Sequence, residues 1–444
     1  MPGPKVETVE ATDTQPRHAD VVVIGGGIVG TSTALELAER GVSVVLCEKG
    51  VVAGEQSSRN WGWVRLSRRD PREIDLMAAS IRLWEDLSER VGYDVGYRQC
   101  GIAVPFYSDK FRDENMAWLK YLEGTQHRVG AIDSEKLAEL VPDMNLDCNG
   151  ALYSPTDGRA EPQKAAPAIA RAARSKGAAI LTGCAVRRIE TGRDGSVTGV
   201  VTERGTIACG RVVVAGGAWS RLLLRDIGLT LPQLKVLNSV LRTEPVPDGP
   251  EVTVRGPGFS VRKRYDGGYT VSTLASNVYD LTPDSFRFVR QFLPALRMEW
   301  QAMRPRVGRR FLDEWRDMRP VSGDAISPYE RTRILDPEPN TKMTGTAVKR
   351  LAEAFPAFRD AKIAQRWAGL IDVTPDAVPV ISKVEERPGL VVATGFSGHG
   401  FGLGPGAGRL TADLTTEAAP IVDPHAFRFS RFSDGSKIIP LTGV

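Results

Sequence analysis

Short apolar runs rich in β-branched residues recur along the chain: "VVVI" at 21–24, "VSVVL" at 42–46, "RVVVA" at 211–215 and "LVVAT" at 390–394. Each is too short for a helix and too uniformly apolar for a half-exposed strand, so each predicts a strand covered on both faces. Between the first two, Ala34, Leu35 and Ala38 recur at helical spacing and Gly41 closes the segment. The resulting strand–helix–strand order predicts an α/β, Rossmann-like sheet. The order strand, glycine loop, helix returns over 389–414, with the helix expected to start near Ala407. "GFSVRKRYDGGYTVST" (258–273) reads as a hairpin around Asp266-Gly267. Residues 282–318 are amphipathic and arginine-rich, divided into short helices by Pro294 and Pro305. Residues 1–18 contain no apolar run and predict a disordered N-terminal tail.

The loop after the first run is Gly25-x-Gly27-x-x-Gly30. Its glycines suit a tight turn, close approach of backbone to a pyrophosphate, and close packing of helix on strand. The N–H groups of Ile28 and Val29 then open the helix as an anion site. Glu48, with Lys49 beside it, ends the second strand about twenty residues on, where a carboxylate accepts both ribose hydroxyls. Later motifs favour FAD over NAD. Gly216-Gly217 ends another buried strand, Val186 follows a helix as an apolar contact for adenine, and Gly398, His399, Gly400, Phe401 and Gly402 lie in the second glycine loop. A second anion-binding helix start, far from the first, suits the N1–C2=O edge of a flavin.

The stretch "SSRNWGWVRLSRR" (57–69) follows the second strand directly. Ser57, Ser58 and Arg59 are expected to donate to the pyrophosphate and ribityl oxygens. Trp61 and Trp63 then form either a flavin-facing wall that shapes the substrate slot or ordinary packing between domains. Arg65 is a candidate for a substrate carrying an additional acid. Phe396 joins the substrate-binding set. His399 either responds to the charge of a reduced flavin or packs, and Asp376 is expected as a turn or cap residue.

Length, charge and cysteines narrow the class. The 444 residues imply two domains, here interleaved. The FAD-binding domain is expected over 19–89, 151–224 and 365–432, and a mixed-sheet α+β substrate-binding domain over 90–150 and 225–364. A net charge of +4 falls short of a nucleic-acid footprint. Five scattered cysteines without CxxC spacing read as reduced thiols of a cytoplasmic protein, and four dispersed histidines give no metal site. No stretch reaches membrane-spanning length. The arginine-rich 282–318 segment has two readings, peripheral contact with an anionic membrane at its inner face or with an electron-accepting partner, and a solvated helical face.

On "GGGIVG", "VVVAGGAWS", "WAGLIDVTPDAVPVIS" (367–382) and "TGFSGHGFGLGPGAGRLTADL" (394–414), the chain resembles the D-amino-acid oxidase superfamily, which includes glycine and sarcosine oxidases. Within it, "AGEQSSR" (53–59), the YRxxG pattern (97–101), "RDM" (316–318), "AFPAF" (354–358) and Arg431-Phe432 resemble the bacterial L-amino-acid deaminases. The resemblance runs from about 19 to 432. It implies hydride transfer from the Cα of an amino acid or N-substituted amino acid to flavin N5, with hydrolysis of the imine. Oxygen, a quinone or another electron carrier would accept the electrons. It places Arg262 at the deaminases' carboxylate-binding arginine and Trp63 on the substrate cavity, with Trp63, Arg262 and His399 as the catalytic set. The deaminases' N-terminal membrane helix has no counterpart here. Gly369 stands where sarcosine-oxidase relatives carry a flavin-linking cysteine, and the "GEQSSRN" loop has no histidine, so non-covalent FAD is expected. Two alternatives keep the cofactor: a 2-hydroxy-acid oxidoreductase, and a flavoprotein subunit of a heteromeric electron-transfer dehydrogenase.

Overall fold

The strand Val21–Ile24 is buried along its whole length, as β-branched residues with apolar neighbours on both sides require. It lies inside a six-stranded sheet ordered 380–383, 390–394, 211–214, 21–24, 44–47, 179–181. The central pairings are parallel, and only 380–383 runs antiparallel to its neighbour. The structure, a computed structural model, describes residues 3–273, 277–299, 304–319 and 325–441. Helices Ile28–Glu39, Pro162–Ser175 and Gly400–Thr416 pack together on one face of this sheet.

A ten-stranded mixed sheet forms the second layer system. At its centre Leu234–Thr243 pairs antiparallel with Ile363–Val373 over its full length and also with Tyr269–Ser272. Phe259–Lys263 and Tyr269–Ser272 form the hairpin expected around Asp266-Gly267. Two expected boundaries move. Residues 151–154 pair with Ile102–Pro105, and 363–373 with 234–243, so both belong to the large sheet rather than to the nucleotide-binding layer. The apolar pattern of these strands matches either sheet; only their pairing partners assign them.

Three other expectations are corrected. The N-terminal residues from Gly3 on are an ordered strap, not a disordered tail. Val9 is buried in the main core, Glu7 pairs with Arg171 at 2.6 Å, Thr12 exchanges hydrogen bonds with Ile180, and the Arg17 carbonyl accepts from Ala208 N–H. The last helix begins at Gly400, not near Ala407, because its glycines serve contact between helices. A Cβ on Gly408 would stand 2.3 Å from Ser32 Cβ, and one on Gly406 2.9 Å from Ser80 Cβ. In the arginine-rich segment, Pro294 lies inside the helix Val289–Glu299, and Pro305 is in a short strand; residues 300–303 lie outside those described. Among the described residues no helix is long and apolar enough to cross a membrane, no cluster of metal-ligating side chains occurs, and all five cysteines are free.

Candidate active site

The first glycine loop is shaped by close approach. Gly25 has φ +110°, and a Cβ there would lie 2.4 Å from the Ala215 carbonyl oxygen; on Gly30 it would lie 2.0 Å from the Gly25 oxygen. Gly30 therefore works by packing and is not on the cavity wall, whereas Gly25, Gly27, Ile28 and Val29 line it. Ser57 Oγ accepts the N–H of Ile28 at 2.8 Å. Both oxygens of Glu48 accept backbone N–H groups, from Gly26 and Gly50, each at 2.7 Å. Burial pushes the Glu48 carboxyl above its ordinary range, against the pull of Lys49 and these two donors.

From this loop a single cavity of about 920 Å³ runs past Val186, Gly216, Gly217 and the turn Phe396–Gly402 to Trp61, Trp63 and Arg65. Glycine backbone and a helix N-terminus as donors, with a fixed carboxylate as acceptor, make up one end as a dinucleotide site requires, so these residues fit FAD. At the other end the Trp61 and Trp63 rings meet edge to face, centroids 5.5 Å apart, and the Arg65 guanidinium lies 6.0 Å from the Trp63 ring. Trp63 is fixed by pairing with Arg159 on the strand Gly158–Arg159.

Four expected site residues stand differently. Arg262 is outside the cavity and 1% exposed, ion-paired with Glu161 at 2.7 Å, while its Nε donates to the Trp61 carbonyl at 2.5 Å. It therefore holds the tryptophan loop from behind and leaves no fork free for a substrate. Arg59 lines the cavity, but its guanidinium binds Asp336 at 2.6 Å and the Ala368 carbonyl at 2.8 Å, because the strand Ile363–Val373 passes beside it. Lys49 also lines the cavity, with its ammonium committed to Glu55 and the carbonyls of Thr332 and Arg333. Ser58 is on the far side of the one-turn helix Gln56–Arg59, so Ser57 faces the cavity and Ser58 donates to the Glu55 carbonyl. Asp376 is not only a turn residue: it is buried against Arg431, 2.9 Å away.

Sequence reasoning missed the partners of the second glycine loop. His399 Nδ1 is 3.0 Å from Glu73, and Glu73 is fully buried. Burial, then Arg69, lowers the imidazole pKa, with Glu73 pulling the other way. Asp372 Oδ2 accepts from Gly395 N–H at 2.8 Å and Gln233 Nε2 at 2.9 Å; burial raises its pKa to about 6. It also missed Arg68, Arg69 and Arg255, all on the cavity wall. The run "RLSRR" was the available signal for the first two; Arg255, nearly two hundred residues away, left none.

A family model described as "DAO: FAD dependent oxidoreductase" matches residues 20–414. The chain belongs to the DAO family of FAD-dependent oxidoreductases. Like other members, it has FAD as its cofactor and oxidation–reduction as its chemistry. A structure of L-amino acid deaminase from Proteus myxofaciens in complex with anthranilate is similar at 34% identity and TM-score 0.91, covering 97% of both chains. Glycine oxidase from Geobacillus kaustophilus is 25% identical over 93% of this chain and 97% of that protein. 4-methylaminobutanoate oxidase (formaldehyde-forming) from Paenarthrobacter nicotinovorans is 26% identical over 96% of this chain, which spans 47% of that protein's length.

Proposed function

We propose that the chain oxidises the C–N bond of an amino acid or N-substituted amino acid. The observation that carries this reading is the continuity of the FAD end of the cavity with a chamber walled by Trp61, Trp63 and arginines. Similarity to a deaminase over nearly the whole chain supports it. FAD, held non-covalently, supplies the two-electron acceptor. The substrate's C–N bond becomes an imine, losing two electrons and two protons, and water converts the imine to a 2-oxo acid and ammonia, or to a carbonyl product and a dealkylated amine. The indoles orient the side chain and exclude water, while the arginines bind the carboxylate. Oxygen, a quinone or an electron carrier reoxidises the enzyme.

One feature favours a second reading, oxidation of a 2-hydroxy acid. His399 lines the cavity and its Nδ1 faces Glu73, which in the neutral tautomer leaves Nε2 as an acceptor for a hydroxyl proton. Anaerobic mixing of the purified holoenzyme with L-, D- and N-alkyl amino acids, and separately with 2-hydroxy acids, tests both. Flavin bleaching by at least one amino compound is expected; bleaching by hydroxy acids alone selects the second reading, and bleaching by none refutes both. Repeating the turnover with an artificial dye and then with oxygen identifies the class of acceptor.

A further inference from the structure

Among the described residues, buried arginines away from the cavity each hold a carboxylate: Arg221 holds Asp284, Arg262 holds Glu161 and Arg431 holds Asp376. Four on the cavity wall, Arg69 buried and Arg65, Arg68 and Arg255 half-buried, do not. Arg65, Arg68 and Arg69 donate only to backbone carbonyls, of Ser67, Glu114 and Arg65 respectively. Arg69 Nη1 is buried without a partner. Among the described residues, Arg255 pairs with Ser260 through its strand, while its guanidinium makes neither a hydrogen bond nor an ion pair. The acids around them are engaged or insufficient. Asp157 accepts from Leu66 N–H, Ser67 N–H and Ser67 Oγ; Glu73 faces His399; Glu114, on the cavity wall, attracts Arg68. Burial pushes Arg255 down to about 10, and Arg68 adds to this; burial, then Arg69 and Arg255, pushes Arg65 well down. Cations gathered in a cavity with fewer facing carboxylates than guanidinium groups, and none ion-paired to them, have a desolvation and repulsion cost that a bound anion offsets.

Their positions divide them in two. Arg65 and Arg69 are joined through Arg69 Nε and the Arg65 carbonyl, next to Trp63. Arg255 is on the strand Thr253–Gly256, where Arg68 lowers its pKa and the Tyr107 phenol raises it. Resting on the amino-acid reading above, we propose that the substrate carries two anionic groups: an α-carboxylate held by Arg65 and Arg69, and a second carboxylate, on its side chain or N-substituent, held by Arg68 and Arg255. The substrate class is therefore acidic amino acids or N-carboxyalkyl amino acids. A planar guanidinium matches a carboxylate with two parallel hydrogen bonds, which an amide cannot reproduce.

The test titrates holoenzyme with non-reacting succinate and glutarate against their monoamides at fixed ionic strength, read by the shift of the flavin spectrum and by calorimetry. The diacids are expected to bind at least tenfold more tightly. In Arg255→Gln that ratio should fall below threefold, with partial recovery in Arg255→Lys. Flavin content and thermal midpoint establish that the variants fold, and Arg68→Gln replaces Arg255→Gln should that variant misfold. Equal binding of diacid and monoamide, or a ratio that survives in the glutamine variants, overturns the proposal. The two readings fail separately. Flavin that bleaches equally with aspartate or glutamate and with their amides refutes the second-anion site alone. Flavin that bleaches with no amino compound refutes the amino-acid reading, and the diacid titration still decides whether the arginines form an anion site.

Discussion

Arg262 and Glu161 form a buried pair whose members also fix backbone: Arg262 the Trp61 carbonyl, Glu161 the N–H of Tyr265. Removing one partner leaves an uncompensated buried charge, at about 3–5 kcal/mol. Arg262→Met should therefore lower the urea-unfolding free energy by that amount, and Glu161→Gln by a similar one. Asp372 gives a pH signature. Its folded pKa of about 6 exceeds the unfolded value, so between about pH 4 and 6 the native state holds a proton that the unfolded chain has released. Stability falls as pH rises through that window, by about 3 kcal/mol in all. Asp372→Asn should remove this part of the slope in unfolding curves measured from about pH 4 to 7. The glycines and Glu48 were legible in the sequence because their tasks are local and their spacing is set by one loop. Arg262 was not, because its partner is 101 residues away and residue type alone does not distinguish a free fork from an occupied one.

The helix Gly400–Thr416 shows the same limit for elements. Glycine has low intrinsic helix propensity, so "GFGLGPGAG" reads as loop, yet contact with Ile28–Glu39 and Ile74–Glu85 overrides that preference. Gly408 is the tightest point: besides Ser32 Cβ at 2.3 Å, an added Cβ would lie 2.8 Å from the backbone of Ser32 and Thr33. Gly408→Ala should cost about 1–3 kcal/mol by overpacking and should lower FAD retention, since the displaced helix begins at the cavity wall; calorimetric unfolding and flavin content measure the two effects. The N-terminal strap was misread for a related reason. Its ion pairs depend on the helix Pro162–Ser175, and composition carries no trace of a surface folded elsewhere.

The alternation of strand and helix announced the nucleotide-binding layer of the whole molecule, whereas the large sheet had to be assembled from strands far apart in sequence. Leu234–Thr243 and Ile363–Val373 pair across more than a hundred residues, and no periodicity encodes such a partnership. Residues of the layer built on Val21–Ile24 line the cavity whose chemistry fits FAD, so ligand binding should be linked to folding. Apoprotein stripped of FAD should melt at a lower temperature, and FAD at a hundredfold excess over its dissociation constant should restore about 2.7 kcal/mol; NAD should restore less. Melting curves with each nucleotide provide the check.

Because the FAD end and the tryptophan end share one cavity, a molecule seated against the tryptophans should favour retention of whatever fills the other end. Release of the yellow pigment into a trap of excess apoflavoprotein should slow as a non-reacting diacid fills the tryptophan end.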